Sequence, residues 1–356
     1  MGTQMQYLPP GSEVELETPG VLRQAARSHR ALAELKGAVR SIPSAEILIS
    51  TLSIQEARDS STVENIVTTQ DEVYRGAEDE TEQASPAAKE VHRYVRALRQ
   101  GFTLIEQNGF LRVSDIIAIH ETLCRTNSGF RRLPGTVLRN SITQEVVYEP
   151  PQDPKEIELL MDNFLKWFHA SEQWGIDPLV QMAVLHHQFE SIHPFYDGNG
   201  RTGRILNLLH LIRNELLTVP VLYLSRAIVR NKADYYRHLQ GVRQEGGWEP
   251  WILYMLQAVE STARQTLTTL NAIAELMHQT KHRLRNEHPR VYSQELLANL
   301  FRHPYTKIDH VMRDCSVSRP TAAKYLSTLE SMGILRKEKI GRINYYVHEQ
   351  LLRILL

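Results

Sequence analysis

The run of twelve residues from His193 to Arg204, with the sequence HPFYDGNGRTGR, restricts the fold more than any other stretch of the chain. Its first two glycines, Gly198 and Gly200, allow backbone conformations in which successive N–H groups point into one concavity. Apolar residues then recur at helical spacing over residues 205–212, so the loop is predicted to open onto a helix N-terminus. Such an end carries unpaired N–H groups and partial positive charge, which suit phosphate. The run therefore predicts a phosphate-binding loop, the cradle, at residues 198–204.

Three side chains add chemistry to the cradle. Arg201 and Arg204 lie three residues apart on the first helical turn, so both can face one ligand, and guanidinium groups bind phosphate oxygens bidentately. His193, just upstream, supplies a base that titrates near neutral pH. Together they predict phosphoryl or nucleotidyl transfer. The alternative is a glycine turn between two helices with incidental charges.

The run matches the pattern H-P-F-x-D-G-N-G-R-x-x-R without a gap, and on these residues the chain resembles the Fic family of nucleotide-transferring enzymes. The resemblance implies that His193 accepts the proton of a target hydroxyl, which then attacks the α-phosphate of ATP. It also implies that Asp197 holds Mg²⁺ against the phosphates. The product is an AMP ester on Ser, Thr or Tyr of a protein, self-modification included. The remaining nucleotide contacts that the resemblance implies are Gly198, Asn199, Gly200, Arg201, Thr202, Gly203 and Arg204.

Residues 60–66, SSTVENI, form a second motif upstream. From the residues alone, a Ser/Thr cluster caps or interrupts a helix, or lies in a loop. The segment also resembles the inhibitory helix of many Fic proteins, [S/T]-x-x-x-E-[G/N], through Ser60, Glu64 and Asn65. The resemblance implies that Glu64 faces Arg204 and misplaces bound ATP, and that Asn65 ends or bends the helix. Leu8-Pro9-Pro10 resembles the N-terminal region of the same subclass.

Two further features border the predicted site. Val137, Ile142 and residues 146–148 are β-formers before Pro150-Pro151 and predict a short hairpin. The resemblance makes this hairpin, at about residues 135–151, a flap on which a target protein docks as an added strand; otherwise it is a surface hairpin. Tyr235 and Tyr236 are either core aromatics of a helix or, as the resemblance implies, residues bordering the nucleotide base.

The C-terminal part of the chain is basic. Residues 281–356 carry fourteen Lys/Arg and seven Asp/Glu, a balance of +7 in a chain whose net charge is zero. Helices at about 307–314 and 318–332, followed by a hairpin turning at Gly341, predict a winged helix-turn-helix. Such a module binds DNA or docks proteins, and the sequence leaves both readings open. The cations on its second helix and wing are Arg319, Lys324, Arg336, Lys337, Lys339 and Arg342.

The predicted fold class is all-α (mainly α): a Fic helical core with a small β-hairpin flap, plus a C-terminal winged-helix domain. The expected divisions are an N-terminal arm and inhibitory helix region (1–85), a catalytic core (86–285) and the winged helix-turn-helix (286–356). Residues 70–90 are acidic and small and predict a solvated connector. Helices are expected at about residues 21–39, 47–59, 86–107, 113–124, 154–172, 178–192, 225–242 and 251–285. Ser114 is the expected cap of the helix at 113–124, and Asp177 is the expected N-cap of the helix at 178–192.

Other features bear on compartment and on rival functions. Two cysteines, no apolar leader and no apolar run of about 18 residues favour a cytoplasmic protein outside the membrane. His186, His187, Glu190 and His193 would suit a metal hydrolase, but their spacing does not match the known zinc motifs. Two alternative functions also remain open. The chain is either a DNA-binding regulator whose core senses nucleotide, or a Fic enzyme that removes AMP or transfers another nucleotide. Neither the target protein nor the oligomeric state is readable from the sequence; dimers are common among such proteins, so a homodimer is one open alternative.

Overall fold

The computed structural model describes residues 7–11, 13–75, 85–139, 143–170, 175–340 and 343–355. Within these ranges the chain is mainly helical, with few and short strands, so the all-α fold class is confirmed. The helices of the N-terminal and central parts are α1 (Pro19–Val39), α2 (Ala45–Val63), α3 (Gln70–Arg75), α4 (Pro86–Asn108), α5 (Val113–Cys124), α6 (Pro154–His169), α7 (Pro178–Ile192), α8 (Asn199–Arg213), α9 (Leu224–Arg230), α10 (Lys232–Glu245) and α11 (Trp248–Glu287).

Two helices, α7 and α8, form the centre of the molecule and pack against each other. In α7 every residue after Pro178 is buried, and in α8 nearly every residue is. A helix buried on all sides must be covered all round. That cover comes from α2, α4, α5, α6 and α11. The loop between the two central helices, residues 193–198, is therefore held rigidly from several directions.

Helix ends follow the expected capping chemistry. The side chains of Thr18, Ser44, Ser85, Asp153 and Asp177 accept hydrogen bonds from the first turns of α1, α2, α4, α6 and α7. The predicted N-cap of α7, Asp177, is confirmed. The predicted cap Ser114 is wrong, because α5 begins after Arg112. There the Arg112 backbone N–H donates to the Asp115 carboxylate at 2.7 Å, and Ser114 lies inside the first turn.

Several bounds differ from the sequence prediction. Helix α2 continues past Asp59 to Val63, because its Ser/Thr end is buried against the core rather than solvated. The helix expected at 225–242 is two helices, α9 and α10, since Asn231 between them has non-helical φ/ψ of −131°/48°. Helix α6 ends at His169, and Glu172, its predicted last residue, lies outside the described residues. Part of the predicted connector forms α3, while residues 76–84 also lie outside them.

Helix α11 is the longest described element, with 40 residues, which corresponds to a length of about 60 Å. Along its first half it packs against α1, where the Ser28 hydroxyl donates to the carbonyl of Leu256 at 2.8 Å. The indole N–H of Trp251 donates to the carbonyl of Ala183 in α7 at 2.8 Å. The same helix thus contacts the N-terminal region, the centre of the core and, at its other end, the C-terminal part.

Five strands lie within the described residues. In the predicted flap, β1 (Leu138–Arg139) and β2 (Val146–Tyr148) pair antiparallel; Ile142 lies outside the described ranges. In the C-terminal part, the sheet has the order β3 (Tyr305–Thr306), β5 (Ile343–Val347), β4 (Arg336–Ile340), with antiparallel pairing throughout. Gly341 and Arg342, the predicted turn and a wing cation, are also outside the described ranges.

The C-terminal part contains more elements than the sequence indicated. Its helices are α12 (Gln294–Arg302), α13 (Ile308–Cys315), α14 (Arg319–Ser331) and α15 (Glu349–Leu355). The predicted helix, short turn, helix and hairpin are present as α13, α14, β4 and β5. Helices α12 and α15 and strand β3 were missed, because short amphipathic segments carry little periodicity. We refer to residues 288–355 as the C-terminal module; its interpretation as a winged helix-turn-helix stays a prediction.

No helix within the described ranges is long and apolar enough to cross a membrane.

Candidate active site

The loop between α7 and α8 is shaped by a few strong local contacts. His193 ends α7 in a left-handed conformation, with φ 48°, which turns the chain away from the helix. The Asn199 amide then bridges the loop, accepting from the N–H of Phe195 and donating to its carbonyl, both at 2.8 Å. Gly198, with φ 75°, reverses the chain into α8. The sequence HPFYDGNG therefore folds into a tight turn that leaves the first N–H groups of α8 unpaired.

The floor of the loop comes from α5. The Phe195 ring stacks on the ring of His120, with centroids 3.6 Å apart and planes 2° from parallel. His120 Nε2 also lies 2.9 Å from the carbonyl oxygen of Asp197. A Cβ at Gly198 would lie 2.4 Å from the Cys124 sulfur, so only glycine fits this close approach. No role was predicted for α5; the only signal in the sequence was that His120 and Cys124 are four residues apart and so lie on one face of the helix.

His193 lies in a pocket that favours its neutral form. Burial, together with the positive charges of Arg131 and Arg243, lowers the pKa of His193 to about 4. At neutral pH the imidazole is therefore uncharged and able to accept a proton. Its Nδ1 is buried and has no hydrogen-bond partner among the described residues. The predicted base thus has the protonation state that proton abstraction requires.

Arg131 holds this end of α7 in place, a role that the sequence analysis missed. The side chain is almost fully buried, and its Nε donates to the carbonyl of His193 at 2.8 Å. It also donates to the carbonyls of Ile192 and Pro151. The carbonyls of Ile192 and His193 lie at the end of α7 and lack intrahelical partners, so a cation there is favourable. Arg131 lies in a turn-rich segment, and nothing in its immediate sequence indicates burial.

The two cradle arginines have different partners. Arg201 is buried and forms an ion pair with Glu90 of α4, and its Nη2 lies 3.3 Å from Asp197 Oδ2. Asp197, by contrast, has a side chain that is 86% exposed. Glu90 was not singled out in the sequence. Arg201 is thereby fixed on the first turn of α8, while the Asp197 carboxylate remains open to a ligand.

Arg204 connects the cradle to the end of α2. Its Nε donates to the Ser60 hydroxyl at 2.8 Å, and its Nη2 donates to the Ser60 carbonyl at 2.9 Å. The same Nη2 lies 2.8 Å from Glu64 Oε1. Glu64 also covers the cradle itself, since a Cβ on Gly200 would lie only 2.4 Å from Glu64 Oε1. The Glu64 carboxylate therefore occupies the space beside the α8 N-terminus that an anionic ligand would use.

Electrostatics keep Glu64 charged in this position. Burial alone would raise its pKa, but Arg204, Arg201 and Lys232 outweigh burial and lower the pKa below its usual value. The adjoining Asn65 adopts the left-handed conformation expected for it, with φ 63°, and its Oδ1 accepts from Lys232 Nζ at 3.1 Å. Of the predicted inhibitory residues, Ser60 and Glu64 thus contact the cradle through Arg204, while Asn65 adjoins Glu64 and contacts α10.

The back of the cradle packs tightly against α7. The Thr202 hydroxyl donates to the carbonyl of Gly198 at 2.9 Å, inside the helix. A Cβ at Gly203 would lie 3.0 Å from Glu190 Oε1. Burial raises the pKa of Glu190 to about 7, while Arg204 acts in the opposite direction. Thr202 and Gly203 therefore shape the helix, and their predicted contact with a nucleotide stays a prediction.

The two tyrosines of α10 lie in different surroundings. Tyr235 is buried, and its hydroxyl is 2.9 Å from His186 Nε2. Tyr236 has 42% of its surface exposed, and Glu64 and Arg204 lie near enough to influence its pKa, which burial raises to about 12. Of the pair, Tyr236 has the accessible position beside the cradle, while Tyr235 contributes to the core that supports it.

The metal-hydrolase alternative finds no support in this geometry. Among the described residues, no three His, Cys, Asp or Glu side chains are grouped to hold a metal ion. Burial lowers the pKa of His186 to about 3, and it packs with its ring parallel to Trp251. The Asp197 carboxylate is exposed beside the cradle. Mg²⁺ commonly binds through one or two carboxylates and the phosphates of its substrate, so this residue fits such an ion.

The flap lies next to His193. The Tyr148 hydroxyl donates to the carbonyl of Ser191 at 3.1 Å, and the Arg243 guanidinium stacks 3.8 Å above the Tyr148 ring. Val146 and Val147 remain 50% and 40% exposed. Arg243 was also missed by the sequence analysis. It donates to the hydroxyl of Ser191 at 2.9 Å, and so fixes the strand against the end of α7.

Family models describe most of the chain. The model of the Fic/DOC family N-terminal region matches residues 22–103, and that of the Fic/DOC family matches residues 110–211. Together these two cover about half of the chain. The model of the C-terminal domain of SoFic-like protein adenylyltransferases matches residues 276–351.

Similar proteins carry related names. Protein adenylyltransferase Fic of Aedes aegypti is 30% identical over 176 residues, which are 49% of this chain and 32% of that protein. The protein of the same name from Nematostella vectensis is 28% identical over 187 residues, or 52% of this chain and 41% of that protein. The chain spans about a third to two fifths of the length of these curated relatives.

Solved structures share the fold. A Fic family protein from Desulfovibrio desulfuricans superimposes with a TM-score of 0.58 at 22% identity, covering 96% of this chain and 98% of that one. A Fic domain containing signaling protein from Bacteroides thetaiotaomicron gives 0.56 at 20% identity, covering 70% of this chain and 98% of that one. The first comparison extends over the core and the C-terminal module alike.

Proposed function

The chain belongs to the Fic/DOC family, and from that premise we propose that it is a protein adenylyltransferase, which transfers AMP from ATP to a hydroxyl side chain of target proteins, itself included. The observation that carries the proposal is the position of a neutral His193 beside an anion cradle. That cradle is built from the N-terminus of α8, Arg201 and Arg204. A base next to a phosphate site is what nucleotidyl transfer to a hydroxyl needs.

The reaction is a displacement at phosphorus. His193 takes the proton of the target Ser, Thr or Tyr hydroxyl as its oxygen attacks the α-phosphate of ATP. The bond between the α- and β-phosphates breaks, and pyrophosphate leaves with its electron pair. The backbone N–H groups at 198–200 lie where they stabilise negative charge on the α-phosphate. Asn199 is expected to share that task, and its amide also shapes the loop through its two hydrogen bonds with Phe195.

The β- and γ-phosphates are bound by Arg201 and Arg204. Asp197 would hold Mg²⁺, and this ion neutralises the charge of the phosphates when it is bound. Tyr236 borders the base through its exposed ring, and the flap presents the target segment beside His193 through backbone pairing along β2. Such pairing demands little of the partner's sequence, which is why the target protein is not identifiable from this chain.

Glu64 inhibits this reaction. Its carboxylate binds Arg204 and covers Gly200, so the γ-phosphate of ATP loses its guanidinium partner. The α-phosphate of bound ATP is then displaced from the line of attack. A displacement of about an ångström costs on the order of 100-fold in rate.

The test is incorporation of label from α-labelled ATP into the purified protein and into a cell lysate. Glu64→Gly should raise incorporation strongly, and adding His193→Ala should abolish it. Glu215→Gly is a matched control, because Glu215 is exposed, follows α8 and has a positive φ of 55° that glycine accepts. Equal labelling of Glu64→Gly and wild type would refute the inhibitory role. Mass spectrometry of the product separates AMP transfer from transfer of another nucleotide and from AMP removal.

DNA binding by the C-terminal module stays a prediction. Lys324, Lys337 and Lys339 are exposed, but Arg319 pairs with Asp309 and Arg336 with Glu338 and Glu349 within the module. Gel shift at two salt concentrations decides between DNA binding and protein docking. The homodimer and the compartment likewise stay predictions.

A further inference from the structure

The inhibitory helix α2 is covered on two sides by different parts of the chain. On one side it packs against α4, α8 and α9 of the core. On another it packs against α12 and α15 of the C-terminal module. Of its 19 residues, 14 are buried, and half of these are polar. Because polar groups gain little from burial itself, the position of such a helix depends on its specific hydrogen bonds.

One buried side chain links the C-terminal module to α2 directly. The Gln55 side chain is 2% exposed, and its Nε2 donates to the carbonyl of Leu355. Leu355 is in the last turn of α15, where carbonyls have no partner inside the helix. Gln55 therefore satisfies an otherwise unpaired group of the module, and in return it is fixed by that module.

The same side chain connects to the inhibitory end of α2. Gln55 Oε1 accepts from Arg226 Nη2 at 2.7 Å, and Arg226 Nε donates to Asp59 Oδ2 at 3.0 Å. Asp59 precedes Ser60, which accepts two hydrogen bonds from Arg204. Polar contacts therefore connect the C-terminal module to Asp59, and the next residue of the chain, Ser60, contacts the arginine of the cradle.

A second contact supports this arrangement. The Tyr305 hydroxyl of β3 donates to Asp71 Oδ1 at 2.9 Å, in the short helix α3 that follows α2. Tyr74 of α3 donates in turn to the carbonyl of Thr51 in α2 at 3.0 Å. The module therefore contacts the inhibitory segment on both sides of Glu64 in the sequence.

From these contacts we propose that the C-terminal module holds α2 in its inhibitory position, with Gln55 as the positioning residue that couples the module to Glu64. The inference rests on the proposed function, since it concerns the strength of inhibition at the same site. Loss of the Gln55–Leu355 contact lets the end of α2 move away from Arg204 more often. A single hydrogen bond of this kind corresponds to about a two- to tenfold change in an equilibrium.

The test compares two variants of the full chain. Gln55→Glu keeps an acceptor for Arg226 and removes the donor that Leu355 uses; Gln55→Ala removes both. Each is made with Glu64 present and with Glu64→Gly. Gln24→Ala serves as the matched control, because Gln24 is also buried and links α1 to Glu260 of α11, away from α2.

We expect both Gln55 variants to raise AMP incorporation about two- to tenfold when Glu64 is present, and to add nothing on the Glu64→Gly background. The control, Gln24→Ala, should leave AMP incorporation unchanged on both backgrounds. Unchanged labelling in the Gln55 variants, or a loss of labelling on both backgrounds, overturns the proposal, because the residue would then be irrelevant or merely structural.

Hydrogen exchange provides a readout that does not depend on activity. Backbone amides of residues 57–66 should exchange faster in Gln55→Glu than in wild type, by about the same factor. If Glu64→Gly is itself inactive, the proposed function fails, and the exchange rates still decide on the coupling. If residues 57–66 exchange at the wild-type rate in Gln55→Glu, the proposed coupling of the module to Glu64 is overturned.

Discussion

At the scale of single residues, the cradle depends on Gly200. A Cβ at this position would lie 2.4 Å from Glu64 Oε1 and 3.0 Å from Arg204 Nη1. The residue has helical backbone angles rather than a left-handed conformation, so alanine is compatible with the chain itself. The Glu64 carboxylate occupies the space that glycine leaves open. When Glu64 is replaced, we expect this space to receive the phosphates of ATP.

Gly200→Ala made on the Glu64→Gly background should therefore lower AMP incorporation at least about tenfold, because a methyl group displaces phosphate by roughly an ångström. The melting temperature should change little. Gly241→Ala is the control, since nothing lies within 4 Å of a Cβ there. Full activity in the Gly200 variant would show that phosphate binds elsewhere.

The pH dependence of the reaction follows from His193. With its pKa lowered to about 4 by burial, the imidazole is neutral throughout the neutral range. The rate of the Glu64→Gly variant should therefore show no acidic decline attributable to His193 between pH 6 and pH 8. Single-turnover labelling across this range measures it. A decline of about threefold between pH 7 and pH 6 would mean that the base titrates near its ordinary pKa of 6.5.

At the scale of secondary-structure elements, α2 contains a buried carboxyl group, Glu56. It accepts from the Ser225 N–H at 3.0 Å and from the Tyr94 hydroxyl at 3.3 Å, and burial raises its pKa to about 8. The folded chain thus retains a proton here that the unfolded chain releases near pH 4.5. Its contribution to stability is fully present below that value and is lost as the pH rises through about 8.

Glu56→Gln, which mimics the protonated group, should consequently become more stable relative to wild type as the pH rises from 5 to 8.5. Chemical denaturation at several pH values measures the difference in the free energy of unfolding. Glu106→Gln, an exposed change on α4, is the control. A difference between Glu56→Gln and wild type that stays constant with pH would mean that Glu56 is ionised in the folded chain.

Prediction from sequence succeeded where the pattern was local. The helices α1, α4, α5 and α7 follow from periodicity and from caps such as Asp177. The site residues that were missed act at a distance in the sequence. Arg131, for example, holds His193 from 62 positions away. Such contacts depend on how the helices pack, and no spacing within the chain reveals them.

Some predicted helix ends were wrong for the same reason, because they too depend on how the helices pack. The Ser/Thr segment of α2 has little helical preference of its own, yet it remains helical to Val63 because Ser60 is used by Arg204. The break at Asn231 also has a tertiary cause, since α9 packs on both α2 and α11 while α10 packs on α11. Local helix propensity has little influence where tertiary packing determines the end of a helix.

At the scale of the whole molecule, the proposed function has Glu64 and ATP competing for Arg204. A ligand present at 100 times its dissociation constant stabilises the native state by about 2.7 kcal/mol, or about 4 °C in melting temperature for a chain of this size. ATP with Mg²⁺ should therefore raise the melting temperature of Glu64→Gly more than that of wild type at equal concentration. Adenosine, which lacks phosphates, is the control ligand. Equal shifts in both proteins would contradict competition at the cradle.

The contact between Gln55 and Leu355 joins residues 300 positions apart, and this separation has a consequence for the order of synthesis. The chain emerges from the ribosome N-terminus first, so α2 and the cradle are complete before the C-terminal module is. Roughly 70 residues follow α11 before Leu355 appears, which takes about 4 to 14 s at 5–20 residues per second. During this interval the contact between Gln55 and Leu355 cannot form, and under the proposed coupling the nascent chain is less inhibited than the finished one.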